Sequence, residues 1–293
     1  MLLTQTTKLE KHMNTSKREE YSRHIEFSIS NTFDDEKYSK LAYENSKLYK
    51  ENKPFPHIVF DNFLPEITAE TISNEYPQVN NLNSAFKFHN HNNVSRYFLE
   101  DTRQFSNNLK VFATAISSRS FLLFLETLTG IKSLIPDPYF MGGGAMMTGN
   151  GGFLNVHVDF NWHQKIQAWR RCNALFYLTK DWRSEYCGNL ELWSTDGKSK
   201  IKEVEPLFNR VVIFDTTSES FHGQPSKIDT PEDVFRNVFS AFYYATEKNE
   251  KIDSIPHYTK YNVTDERKNN VADFKTSPYA EGITEDYLKN IKK

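Results

Sequence analysis

A chain of 293 residues accommodates one large domain with appendages, and hydrophobic residues at 38% with aromatics at 14% supply a sizeable core. The 36 Lys and Arg balance 38 Asp and Glu to a net charge of −2 with no basic stripe, so nucleic acid is not an expected partner. Two cysteines, Cys172 and Cys187, are too few for a disulfide framework; with no secretory leader and no apolar run of about 18 residues, the expectation is a soluble, cytoplasmic protein with no membrane partner.

Residues 1–50 form a polar N-terminal extension, expected to be partly disordered over 1–30. Helical spacing of Tyr38, Leu41, Leu48 and Tyr49 predicts a helix around 35–50. "PFPHIVFDNFLP" (54–65) reads as a strand bounded by prolines, and a helix should start at Pro65 and stop before Pro77. Residues 80–98 are Asn-rich and carry the composition of a loop. Within it "FHNHNN" (88–93) places His89 and His91 at a metal-like spacing, but without an acidic or Cys partner the reading is a solvated loop able to close over a substrate. Two helices follow, over 101–116 with Phe105, Leu109, Phe112 and Ile116 on one face, and over 118–129 with Gly130 as the stop.

From 139 to 247 short β-rich runs alternate with turn residues and no helix-length periodic segment intervenes, which predicts an antiparallel sandwich or barrel. The fold class is therefore mostly β with flanking helices (α+β). "GGG" at 142–144 lacks the strand–helix context of a phosphate loop and reads as a flexible turn. The polar stretch 248–293 predicts a loosely packed C-terminal tail.

"NVHVDFN" (155–161) is the unusual strand. With side chains alternating between faces, Leu154, Val156, Val158 and Phe160 form an apolar side, while Phe153, Asn155, His157 and Asp159 share the other. A third residue can complete a site with that imidazole and carboxylate. "VIFDTTSESFHGQP" ends an apolar strand and delivers His222, 63 residues beyond Asp159. Two neutral imidazoles and one carboxylate are the facial triad that holds non-haem Fe(II) with positions open for a bidentate co-substrate and dioxygen. Fourteen residues after His222, Arg236 opens "RNVFSAFYY" on a face with Val238, Ser240 and Phe242, and is suited to pair two-pronged with a carboxylate. Tyr177, sharing a face with Asn173, Leu175 and Thr179, can add a hydroxyl to the same group. His163 and Gln164 either line the pocket or cap the turn; Trp162, Trp169, Trp182 and Trp193 read as packing residues, and Arg170 and Arg171 as structural ion-pair partners rather than pocket gates.

The block 147–247 resembles the Fe(II)/2-oxoglutarate-dependent dioxygenases, and among them the prolyl-hydroxylase-like group, through "GNGGFLNVHVD", "RRCNALFYLTKDW", "GNLELW", "EPLFNRVVIFD", "HGQP" and "RNVFSAFYY" in the family's order. The resemblance implies a double-stranded β-helix (jelly roll, cupin-like) core with N-terminal helices. The dioxygenase domain would span 51–247, with its jelly-roll core at about 139–247. It further implies that His157, Asp159 and His222 bind Fe(II), and that Arg236 holds the distal carboxylate of 2-oxoglutarate with Tyr177 assisting. With O2, and ascorbate as a further cofactor, the implied reaction hydroxylates an unactivated C–H and releases succinate and CO2. Two departures stand out: Met147 occupies a position where the group often carries tyrosine, and Gly188-Asn189 replaces a frequent Gly-Gly. "SKIDTPEDVF" reads as a loop inserted at the mouth of the site. The resemblance favours a prolyl residue or related amino acid as substrate; a peptide, a small metabolite and a sugar or lipid remain open, as do the oligomeric state and a catalytically silent jelly-roll binding module.

Overall fold

A computed structural model describes residues 32–79, 86–90, 92–247 and 255–262, the side chains of 86–90 excepted. The expectation of disorder over 1–30 lies outside the described residues.

Helix α1 (Asp35–Glu51) begins at Asp34, whose carboxylate accepts from the backbone N–H of Lys37 at 2.6 Å, and buries Tyr38, Ala42 and Tyr49. It is followed by β1 (His57–Phe60), α2 (Glu66–Asn74), β2 (Phe86–Asn90), β3 (Asn93–Leu99), α3 (Asn107–Ala115) and α4 (Arg119–Thr129). α4 stops at Gly130, which adopts φ 80°, the left-handed conformation open to glycine at a helix end. Then come β4 (Ile135–Pro136), β5 (Gly144–Val158), β6 (Trp162–His163), β7 (Ala168–Tyr177), β8 (Leu190–Trp193), β9 (Lys200–Val204), β10 (Arg210–Asp215), β11 (His222–Gln224), β12 (Arg236–Ala245) and β13 (Lys260–Tyr261).

All pairings are antiparallel, in the order β1-β10-β7-β12-β5-β11-β8-β9. The sheet curls through β5, whose first half pairs with β12 and whose second half pairs with β11 and β13. The bend falls at Gly151, with φ 69°, and Gly152, where a Cβ would meet Thr148 Cγ2 at 2.5 Å. This is the expected jelly-roll architecture.

Period-two alternation partitions the strands between two cores. Cys172, Ala174 and Phe176 of β7, Val211 and Ile213 of β10, and Phe239, Ala241 and Tyr243 of β12 pack toward the helices. Tyr177, Val212, Phe214 and Val238 turn the other way, into the space between the sheet halves, where Leu190, Leu192 and Phe55 join them. Both faces of these strands are apolar because each is covered.

Two sequence expectations give way here. The Asn-rich stretch 80–98 is not a loop throughout: β2 and β3 form a hairpin, and β3 lies along β5. The alternation in "NVSRYFL" outweighs the turn-forming asparagines around it. The side chain of His89, and all of His91, fall outside the described residues. Nor is the C-terminal stretch loosely packed throughout, since β13 pairs Lys260 with Val158 and Tyr261 with His157.

Phe176 is the hub of the helix-side core, buried with its ring centroid 5.2 Å from Phe112, 6.0 Å from Phe121 and 6.1 Å from Phe63. Phe176→Ala is expected to lower unfolding free energy by about 3–5 kcal/mol, the usual range for a phenylalanine deleted from a packed core. Urea titration checks this, and a loss below ~1 kcal/mol would show that helices and sheet do not share one core.

Candidate metal and co-substrate site

His222 on β11 pairs directly with His157 on β5, and directly opposed residues of an antiparallel pair project to the same face. Their rings lie 4.5 Å apart between centroids. Gly223 permits this approach, because a Cβ there would meet the backbone N and Cα of Val156 at 2.9 Å. Asp159 follows the end of β5, its Oδ1 3.5 Å from His157 Nε2 and its Oδ2 3.4 Å from His222 Nε2. One ligand atom from each of the three lies within 4.8 Å of the others, and among the described residues this cluster of His, Cys, Asp or Glu is the one that could hold a metal ion.

The ring orientations are fixed from behind. His157 Nδ1 lies 2.8 Å from the carbonyl of Asn155, and His222 Nδ1 lies 2.8 Å from the carbonyl of Ser220. A backbone carbonyl only accepts, so each Nδ1 donates and each Nε2 keeps its lone pair toward the site. Burial pulls the His222 pKa down to about 4, against the opposing pull of Asp159, so this imidazole is neutral at pH 7, the form that ligates metal.

Asp159 is held just as firmly. Its Oδ2 accepts from Asn173 Nδ2 at 2.9 Å and faces Arg170 Nη2 at 3.0 Å, while Arg170 Nε donates to Asn173 Oδ1 at 3.0 Å. Oδ1 takes no part in that clamp and stays turned toward His157. Burial alone would push the carboxyl up; the Arg170 guanidinium, then the two imidazoles, outweigh it and hold the group well below the ordinary carboxylate range. Arg170 is itself buried between the rings of Phe242, 3.4 Å from its centroid, and Phe160, 4.7 Å away. Sequence reasoning assigned Arg170 to structural pairing and missed that its partner is a candidate metal ligand.

Arg236 stands where the strand alternation predicts, on the face of Val238, and its Nη2 donates to the Tyr177 hydroxyl at 3.4 Å. Its guanidinium is buried, no acidic side chain pairs with it among the described residues, and its Nε has no partner. Burial pulls its pKa down, partly offset by Tyr177. A buried donor fork left open in this way fits an incoming carboxylate.

The other candidates take structural places. His163 caps its turn, with Nδ1 accepting from the N–H of Lys165 at 3.2 Å and Nε2 3.3 Å from Asp137 Oδ1. Trp162 and Trp169 pack edge to face at 5.0 Å. Cys172 is buried, whereas Cys187 is only half-buried. Met147 packs in the helix-side core. The 226–235 loop packs inward through Ile228, whose N–H donates to the carbonyl of Gly152 at 3.0 Å.

Residues 143–246 match the sequence profile of the 2OG-Fe(II) oxygenase superfamily. That segment is thus similar in sequence to the 2OG-Fe(II) oxygenases. Its fold is similar to that of a prolyl 4-hydroxylase from Phytophthora capsici, with 19% identity over 74% of this chain and 68% of that one at a TM-score of 0.51. Also similar are a Pseudomonas putida prolyl-4-hydroxylase, at 14% identity, 71% and 98% coverage and TM-score 0.48, and HygX from Streptomyces hygroscopicus with nickel, 2-oxoglutarate and hygromycin B bound, at 12% identity, 69% and 86% coverage and TM-score 0.46. No curated protein sequence matches the chain. The matched segment contains both histidines, the aspartate and Arg236, while β3 and β13, which border the same strand, lie outside it.

Because Asn173 supplies one of the two donors on Asp159 Oδ2 and also braces Arg170, Asn173→Ala is expected to weaken Co(II) or Ni(II) binding by about 10–100-fold, the usual cost of losing a group that orients a metal ligand. Isothermal titration calorimetry reads this directly. Unchanged affinity in a folded variant would show that the clamp does not position the carboxylate.

Proposed function

We propose that the protein is an Fe(II)/2-oxoglutarate-dependent dioxygenase that hydroxylates an unactivated C–H of a prolyl residue or related amino-acid substrate. The observation that carries this reading is the combination, within one segment, of a ligand-competent His157–Asp159–His222 cluster with the buried guanidinium of Arg236, whose Nε has no partner and which meets no acidic side chain among the described residues. The chemistry supplied there by Fe(II) and dioxygen is oxidative decarboxylation of 2-oxoglutarate to succinate and CO2, coupled to hydroxylation of the substrate.

The chain's own residues do the rest. His157 and His222 present Nε2 lone pairs, and Asp159 presents Oδ1 as the single anionic ligand. A carboxylate in that position occupies a coordination site that a halide would otherwise need, which favours hydroxylation. Arg236, with the Tyr177 hydroxyl beside it, receives the distal carboxylate of 2-oxoglutarate and so orients its keto-acid end toward the ligands. The apolar lining of Leu192, Val212, Phe214 and Val238 excludes water around that carboxylate pair.

Succinate formation from 2-oxoglutarate, measured after anaerobic loading with Fe(II) in the presence of ascorbate and pools of prolyl peptides or free amino acids, tests the reading. Wild type is expected to form succinate and His157→Ala only background. Arg236→Gln is expected to raise KM for 2-oxoglutarate about ten- to a hundredfold, the loss of one charge-assisted hydrogen-bonded pair. No succinate in any pool, together with metal and 2-oxoglutarate binding unaffected by His157→Ala, would instead identify a silent jelly-roll binding module.

A further inference from the structure

Arg96 is a second buried arginine that the proposed reaction leaves unused. It lies on β3 opposite Thr148 of β5, and Thr148 in turn lies opposite Arg236 of β12. Cross-strand partners share a face, so Arg96, Thr148 and Arg236 form one row across the inner side of the sheet. Two strand spacings place the two arginine backbones roughly 10 Å apart.

The backbone is shaped to put Arg96 there. The register of β3 against β5 shifts between Val94 and Arg96, and Ser95 at that bulge adopts φ 48°, a conformation non-glycine residues rarely take. Such bulges re-aim a side chain at a local cost in strain. The adjoining turn is tied to the strand carrying the ligands, since Asn155 Nδ2 donates to Asn92 Oδ1 at 2.9 Å and the N–H of Asn155 donates to the carbonyl of Asn92 at 2.9 Å.

No acidic side chain pairs with Arg96 among the described residues; its contact is with the face of Phe98, 4.8 Å from the ring centroid. Burial, then the charge of Arg236, pulls its pKa down to about 10, with Tyr261 and Asp159 pulling the other way. Tyr261 stands over the ligand strand, its ring 5.5 Å from that of His157. Arg96 stands on the inner side of the sheet together with Arg236, one strand away on either side of Thr148.

The charges do not balance. A divalent metal and the 2-oxoglutarate dianion offset each other, leaving Arg96, Arg170 and Arg236 around the single carboxylate of Asp159, which Arg170 already engages. Buried guanidinium without an anion is costly, and a ligand that brings one would offset that cost.

We propose that Arg96 is the anchor for an anionic group on the substrate, a free carboxylate or a phosphate monoester, held on the inner face that Arg96 shares with Thr148 and Arg236. This rests on the dioxygenase reading and narrows its substrate class to compounds carrying that anion, a free amino acid before an internal prolyl residue of a peptide.

The test uses the full chain loaded with Ni(II) and saturating 2-oxoglutarate, titrated calorimetrically with paired probes. One arm sets free L-amino acids, L-proline included, against their primary amides; the other sets phosphate monoesters against their parent alcohols. The expected result is 1:1 binding of at least one anionic probe and binding of its neutral counterpart at least about tenfold weaker. Arg96→Gln should cost that anionic probe about ten- to a hundredfold and Arg96→Lys less, with 2-oxoglutarate affinity unchanged in both variants. The arm that responds distinguishes carboxylate from phosphate. Equal binding of neutral counterparts, no binding by any anionic probe, or a loss of 2-oxoglutarate affinity in Arg96→Gln equal to that in Arg236→Gln would each overturn the assignment. Failure of wild type to bind 2-oxoglutarate at all, with Ni(II) bound, would instead bring down the underlying dioxygenase reading. Melting temperatures of both Arg96 variants separate loss of the anchor from loss of the fold.

Discussion

The direct pairing of His157 on β5 with His222 on β11 is the constraint on which the rest of the structure depends. Side-chain period in a strand is two, so a slip of one residue would send one imidazole to the opposite face and dissolve the site. The register is secured on both sides. Gly223 lets β11 press against the backbone of Val156, and the carbonyls of Asn155 and Ser220, each two residues before its histidine, fix the ring that follows. Around this pair β5 bends through Gly151 and Gly152, so that one strand carries both Thr148, opposite Arg236, and His157, opposite His222.

Holding an ionised aspartate in that interior has a large desolvation cost, and the Arg170 guanidinium offsets it. Arg170 is in turn buried between Phe160 and Phe242, so the carboxylate is oriented by a cation that has little freedom to leave. The division of labour within Asp159 is the functional outcome: Oδ2 is consumed by Arg170 and Asn173, and Oδ1 is left for a metal. Behind this clamp lies the aromatic core of Phe63, Phe112, Phe121 and Phe176, a rigid backing of the kind that holds ligands to a fraction of an ångström.

Much of this was legible in the chain itself. The four helices form close to where helical periodicity and stop signals put them, with α3 beginning later than expected because Thr102–Gln104 coils as a separate 3-10 turn. His157, Asp159 and His222 could be paired from their strand context, and Arg236 and Tyr177 from face alternation, since a local two-residue period survives without knowledge of neighbours. What resisted was every contact that depends on which strands are adjacent. Arg170 lies eleven residues beyond Asp159, across a turn and into the next long strand, and nothing local marks it as the partner of a candidate ligand carboxylate. The hairpin carrying Arg96 was obscured by asparagines that suit the turn but not the strands. The return of Lys260 and Tyr261 to β5 is a two-residue pairing with no periodic signal at all.

Metal ligation by the paired histidines is the central claim, and X-ray absorption of the Co(II)-loaded protein tests it most directly. The account predicts one Co(II) per chain with two imidazole nitrogens and a carboxylate oxygen in its coordination sphere. Imidazole scattering should fall by half in either His157→Ala or His222→Ala. A spectrum showing no imidazole ligation, or one unchanged by both substitutions, would contradict it.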